Sequence, residues 1–217
     1  HFIKMKSTFS NYENEWNKLF ESYKKKYPAD AEQFVRIFNN DFGDEWKNAL
    51  PSFTKYGENV PTRNASGSAI NAIAKHLPTL IGGSADLEPS NNTYIKESGK
   101  FSAENRSGRN FHFGIREHGM GGILNGMALY GGVIPYGGTF MVFSDYMRPS
   151  IRLASISEVR PIYVFTHDSV GLGEDGPTHQ PIEHLASLRA IPKVIVIRPA
   201  DANETVEAWK FAIEHKR

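Results

Sequence analysis

The sequence predicts an α/β fold, a parallel sheet with helices on both faces, preceded by a helical linker. Three observations carry this. From Ser66 onward, helical and strand-like patterns alternate along the chain. The strand-like runs are short and rich in β-branched and aromatic residues, and each is followed by a loop and a helical segment, the order that parallel crossovers require. The unusual polar clusters come directly after these runs, where open parallel sheets gather ligands at the carboxyl ends of their strands.

Taken in order, residues 14–27 place Trp16, Leu19, Phe20 and Tyr23 three and four apart, one apolar helical stripe. Pro28 opens a second helix over 29–42, with Phe34, Ile37 and Phe38 at the same spacing; a first helical turn tolerates proline. After Trp46 come the breakers Pro51, Gly57 and Pro61, which mark a linker. Residues 66–76 read as a helix, 80–82 as a short apolar strand ending in a glycine loop, and 116–130 as a glycine-rich helix. Strands are expected over 133–136, 162–166 and 194–197. The polar clusters are Ser84-Ala85-Asp86, Thr139-Phe140 and His167-Asp168.

Composition narrows the classes of function. The 217 residues are 40% hydrophobic, enough to bury a core in one domain with an appendage. Lys+Arg number 25 against 24 Asp+Glu, and no basic stripe could neutralise a row of phosphates, so nucleic acid is not an expected partner. The triplet Lys24, Lys25, Lys26 ends a helix-like segment, where cations favour the helix C-terminus. The absence of cysteine excludes a disulfide framework and thiol chemistry, and fits a reducing compartment. No apolar run approaches the roughly 20 residues of a membrane span and the start lacks a signal-peptide pattern, so a cytoplasmic protein without membrane partners is expected. The opening His1-Phe2-Ile3-Lys4-Met5-Lys6 follows no structural pattern; residues 1–9 are expected as a remnant or linker, and the chain as a fragment.

The densest chemistry lies in 167–181, which packs two histidines and three carboxylates among glycines and prolines beyond a buried strand. A structural loop needs turn residues, not a clustered set of titratable groups. Metal binding, acid–base work and a polar substrate pocket all fit. Metal binding would use His167, Asp175, His179 and His184, but His179 and His184 stand five apart, a spacing that turns them away from each other on a helix. A second cluster, Gly114-Ile115-Arg116-Glu117-His118, opens the glycine-rich helix, and close helix packing with an anion in the first turn would explain it equally well. In the third, over 138–146, aromatics recur every three residues, a spacing usual for core.

The strings Gly114-Ile115-Arg116-Glu117-His118, Gly138-Thr139-Phe140, Thr166-His167-Asp168-Ser169 and Gly173-Glu174-Asp175-Gly176-Pro177-Thr178-His179-Gln180-Pro181 occur in the order and spacing of the transketolase family. With Thr62-Arg63 and Ser84-Ala85-Asp86-Leu87-Glu88-Pro89-Ser90-Asn91, the sequence resembles that family over roughly residues 10–217. The last loop string is the most specific, since neighbouring thiamine enzymes share the glutamate but not that pocket. The resemblance implies a thiamine-diphosphate-binding fold, with 10–61 as helical interdomain linker and 62–217 as pyrimidine-binding domain, truncated before its last strand.

For mechanism, the resemblance implies that Glu117 bonds the aminopyrimidine ring nitrogen of thiamine diphosphate and favours its imino form, that Phe143 stacks on this ring with Phe140 and Tyr146 lining the pocket, and that Asp86 lies near the thiazolium side. It implies that Arg63, Ser90 and His167 hold a sugar phosphate, while Asp175 and His179 meet the donor hydroxyls, His179 beside Glu117 as a catalytic group. The implied reaction moves a two-carbon ketol unit from a ketose phosphate to an aldose phosphate. The family's Gly-Asp-Gly motif for the diphosphate and its Mg or Ca is missing here, so those ligands are expected in a preceding domain, supplied by a homodimer partner, and the isolated chain is expected to be inactive. A dihydroxyacetone synthase and a catalytically silent dimerisation domain are the alternatives.

Overall fold

The structure, a computed structural model, describes residues 2–53 and 59–215. It divides into two compact units, His1–Phe42 and Gly43–Arg217. In the first unit, α1 (Phe2–Lys26) and α2 (Pro28–Phe38) carry the two predicted apolar stripes. Phe20 joins them, 5.1 Å from Trp16 and 5.4 Å from Phe34 between ring centroids. The first helix starts at Phe2, well before residue 14, because no proline or glycine interrupts 2–26. The second stops at Phe38, short of 42, where Asn40 takes a left-handed φ of 54° that a continuing helix cannot adopt.

The second unit holds α3 (Glu45–Asn48), α4 (Thr62–His76), β1 (Leu80–Ser84), α5 (Glu88–Asn91), β2 (Asn110–His112), α6 (Glu117–Tyr130), β3 (Ile134–Phe140), α7 (Ser144–Ile156), β4 (Ile162–Thr166), α8 (His184–Arg189) and α9 (Ala202–Glu214). The four strands form one parallel sheet in the order β2-β1-β3-β4, with Gly82 opposite both Asn110 and Tyr136, and Phe140 opposite Thr166. Successive β3 residues point to opposite faces. The Tyr136 ring meets Trp209 of α9 edge-on at 6.0 Å, whereas a Cβ on Gly137 would run into Leu124 and Met120 of α6. Helices therefore cover both faces: Ile70, Ile73 and Ile213 are buried on α4 and α9, while Met120 and Leu124 of α6 join Met147 and Ile151 of α7 in one core cluster.

Two expectations need correction. The glycines of β1 lie inside the strand and not in a loop after it, because the sheet is locally too close for side chains: a Cβ on Gly83 would stand 1.8 Å from the Phe111 carbonyl oxygen. The predicted strand at 194–197 does not join the sheet, so β4 is its edge. Val194 and Val196 pack against the core cluster while Ile195 and Ile197 are exposed, so burial satisfies the alternating pattern without ladder pairing. Strand β2 carried no clear signal, since Asn110, Phe111 and His112 include one strong strand former.

Candidate active site

Because the strands are parallel, their carboxyl ends share one edge of the sheet, and each end delivers residues singled out above. Asp86 and Ser90 follow β1, Glu117 follows β2, Phe140 ends β3 with Phe143 and Tyr146 just beyond, and His167, Asp175 and His179 follow β4. Arg63 reaches the same edge from the first turn of α4, the helix that leads into β1.

The rings form one continuous wall. Phe140 and Phe143 lie nearly parallel, 6° apart at 5.9 Å, and Tyr146 continues the row 6.1 Å from Phe143. These residues span a strand end, a 3-10 turn over Met141–Phe143 and a helix, so the row follows from a bend in the chain and not from one helical face. His167 stacks on Phe140 at 3.8 Å, and His179 sits edge-on to Phe143 at 5.4 Å. Arg63 Nη1 lies 3.5 Å from His167 Nε2. Burial and the neighbouring Arg63 charge hold the His167 imidazole below its usual pKa, against a smaller opposite pull from Asp175 and Asp168. A neutral imidazole beside a guanidinium is the resting state.

Backbone strain marks two of these positions. His167 and Asp86 have φ of 55° and 63°, in the left-handed region that side chains avoid. A cavity of about 600 Å³ opens beside the cluster, lined at its polar end by Arg63, His167, Asp168 and Arg198. Asp168 accepts from Arg198 Nε at 2.6 Å, tying the loop after β4 to the segment before α9.

Glu117 is different. It is the first residue of α6, is 8% exposed, and makes no side-chain hydrogen bond or ion pair with another described residue. The helix N-terminus favours its charge. Asp86, Ser90 and Asp175 are exposed. The metal set does not assemble: His184 is buried on α8, its Nε2 3.0 Å from Asp145 Oδ2, in a grouping with Glu183 that includes neither His167 nor His179. His179 lies in a turn ahead of α8, so the two histidines do not share a helix and the spacing argument does not apply to them.

Sequence reasoning missed the support beneath His167, where Thr166, Asn91 and Ser84 form a buried polar chain. Its members lay inside quoted strings, but side chains so far apart in sequence give no sign of mutual contact.

A parallel α/β domain that gathers a nearly buried carboxylate, an aromatic wall and an arginine–histidine pair along one sheet edge has the layout of a ligand-binding domain. Comparison with known proteins narrows this. Residues 58–217 match the family "Transketolase, pyrimidine binding domain", and the chain belongs to that family. It is 52% identical over 204 residues to a transketolase of Aquifex aeolicus, covering 94% of this chain and 29% of that protein. It is 55% identical over 209 residues to one of a Nostoc species, covering 96% and 31%. Among solved structures, a Pichia stipitis transketolase in complex with sedoheptulose 7-phosphate superposes with a TM-score of 0.92 at 44% identity, covering 96% of this chain and 32% of that one. A split-gene transketolase described as an inactive β4 tetramer matches at 0.56 and 31% identity, covering 71% and 48%. The chain thus spans about a third of the transketolases of Aquifex, Nostoc and Pichia.

Proposed function

We propose that this chain supplies the pyrimidine side of a thiamine-diphosphate active site in a cytoplasmic, homodimeric transketolase of the pentose phosphate pathway, with residues 62–217 as the pyrimidine-binding domain. The observation that carries the reading is Glu117, a nearly buried carboxylate with no side-chain partner among the described residues, on the same sheet edge as an aromatic wall. Thiamine suits both: its flat aminopyrimidine offers a ring nitrogen to Glu117 and a face to Phe143, with Phe140 and Tyr146 completing the pocket and Asp86 on the thiazolium side. When bound, the cofactor supplies a nucleophilic thiazolium carbon. Glu117 holds a proton at the ring nitrogen and so sets the basicity of the group that activates this carbon.

Arg63, Ser90 and His167 bind the terminal phosphate of a sugar, and an arginine fork fits phosphate oxygens. Asp175 and His179 pair with hydroxyls near the bond that breaks, so that a sugar of the wrong configuration loses these hydrogen bonds. The outer face of α6 supports a second subunit: Ile123, Leu129 and Tyr130 are 48%, 62% and 84% exposed on the helix that Glu117 begins. The chain contains no Gly-Asp-Gly string, so the ligands of the diphosphate and its Mg or Ca belong to a domain outside it.

Ketol transfer from a ketose phosphate to ribose 5-phosphate tests the reading. The full-length enzyme should turn over with thiamine diphosphate and magnesium, and this chain alone should not. A full-length protein inactive under saturation would instead make this a silent dimerisation domain. Preference for formaldehyde as acceptor would make it a dihydroxyacetone synthase.

A further inference from the structure

A buried chain of hydrogen bonds decides which nitrogen of His167 carries its proton. It starts at the Gly138 carbonyl, which can only accept. Ser84 Oγ donates to it at 2.9 Å, leaving its oxygen to accept Asn91 Nδ2 at 2.9 Å and the Leu87 N–H at 3.3 Å. Asn91 therefore turns its Oδ1 toward Thr166, whose hydroxyl donates at 2.6 Å. A hydroxyl has one hydrogen, so Thr166 can only accept from His167 Nδ1, 2.8 Å away. His167 is protonated on Nδ1, and its Nε2 lone pair faces Arg63. Ser84, Asn91 and Thr166 are 2%, 0% and 8% exposed, which keeps bulk water from competing.

An Nε2 lone pair repels a phosphate oxygen unless a proton stands between them. We propose that the Ser84–Asn91–Thr166 chain positions His167 in its Nδ1-protonated tautomer, so that phosphate bound beside Arg63 takes up one proton at His167 Nε2. This rests on the sugar-phosphate reading above. The proton comes from solvent, giving an imidazolium that donates to a phosphate dianion, or from the hydroxyl of a phosphate monoanion, which donates to neutral Nε2. In both cases the complex holds one proton more than dianion plus neutral imidazole, and no other bond changes.

The charged groups facing His167 are Arg63 from α4 and Asp168, Asp175 and His179 from its own loop, with Arg198 engaged on Asp168. Arg63 and His179 oppose a charge on the ring, and the two aspartates favour it. Burial and Arg63 keep the free ring neutral at pH 7, and a bound anion reverses that balance. Asn91 and Thr166 touch no substrate in this scheme; they are positioning residues.

The test uses the protein with 15N-labelled histidine and inorganic phosphate as probe. At about pH 8, above the ordinary histidine pKa, the ring couplings of His167 should report Nδ1–H; an Nε2–H ring overturns the proposal. Phosphate should raise the pH at which His167 titrates, and its affinity should fall about tenfold per pH unit above both the free titration of the ring and the second ionisation of phosphate itself. A similar rise with sulfate assigns the proton to solvent, and a rise with phosphate alone assigns it to the monoanion; either supports the coupling. Phosphate that binds without moving the titration overturns it. If phosphate does not bind at all, the sugar-phosphate reading falls with it, so the two failures are distinct. Thr166→Val should give mixed tautomers and flatten the pH dependence, and Thr166→Ser should restore both. A His167 response unchanged by Thr166→Val removes the chain from the mechanism.

Discussion

The two ends of the site are built in opposite ways. At the β4 end, a linked set of buried polar groups beneath His167 is bonded within the chain, from the Gly138 carbonyl through Ser84, Asn91 and Thr166 to the imidazole. At the β2 end, the Glu117 carboxylate has no such partner among the described residues, and the helix it opens leaves Ile123, Leu129 and Tyr130 exposed. A satisfied buried network holds its geometry before any ligand arrives. A carboxylate left open beside an exposed apolar face is what a site completed by other molecules would leave. The corner proposed for phosphate is thus bonded within this chain, and the corner proposed for the cofactor is left open among the described residues.

This contrast can be broken most strongly at Glu117. Glu117→Ala in the full-length enzyme should lower kcat by about 10²–10⁴, the range of lost acid–base assistance, while the melting temperature of the chain barely moves. A large loss of stability would mean that Glu117 has a structural partner after all. Asn91→Ala should show the reverse sensitivity, costing about 1–3 kcal/mol in urea unfolding because Ser84 and Thr166 lose a buried partner; an unchanged midpoint would mean that the network contributes little.

Acid should weaken the phosphate corner. His167 is held below its ordinary value in the folded chain, so as pH falls below about 6.5 the unfolded state binds the proton first and stability drops until the folded ring also titrates. His167→Gln should flatten that part of a stability profile measured between about pH 7.5 and 5.5. The smallest effect is expected at the other corner. Ile123→Lys and Leu129→Lys should change the stability of the chain by no more than about 0.5 kcal/mol, as for exposed sites, yet weaken dimerisation of the full-length enzyme in sedimentation. A marked loss of stability instead would mean that the face packs within the chain.

Much of this was legible in the residues. The alternation after Ser66 announced a parallel sheet, and with it the edge where ligands gather, because side-chain period and connection length depend on neighbours in sequence. Ile162–Thr166 was legible as a strand to the residue, and the motif strings pointed to the ring wall and the histidines. What the strings could not carry was partnership. Val194–Ile197 has a strand's alternation but no ladder, since burial and pairing leave the same pattern and only packing separates them. Glu117 and Asn91 are both polar residues in helical turns beside the sheet edge, and nothing local distinguishes the one left open from the one fully bonded.

By itself the sequence determined the layers and the edge where ligands gather, consequences of short-range periodicity, while the expected site groups came from the resemblance of its motif strings to a family. Tertiary structure alone decided which groups are satisfied: Thr166 reaches Asn91 across 75 positions of chain, and that contact, not the identity of the histidine, sets where His167 keeps its proton.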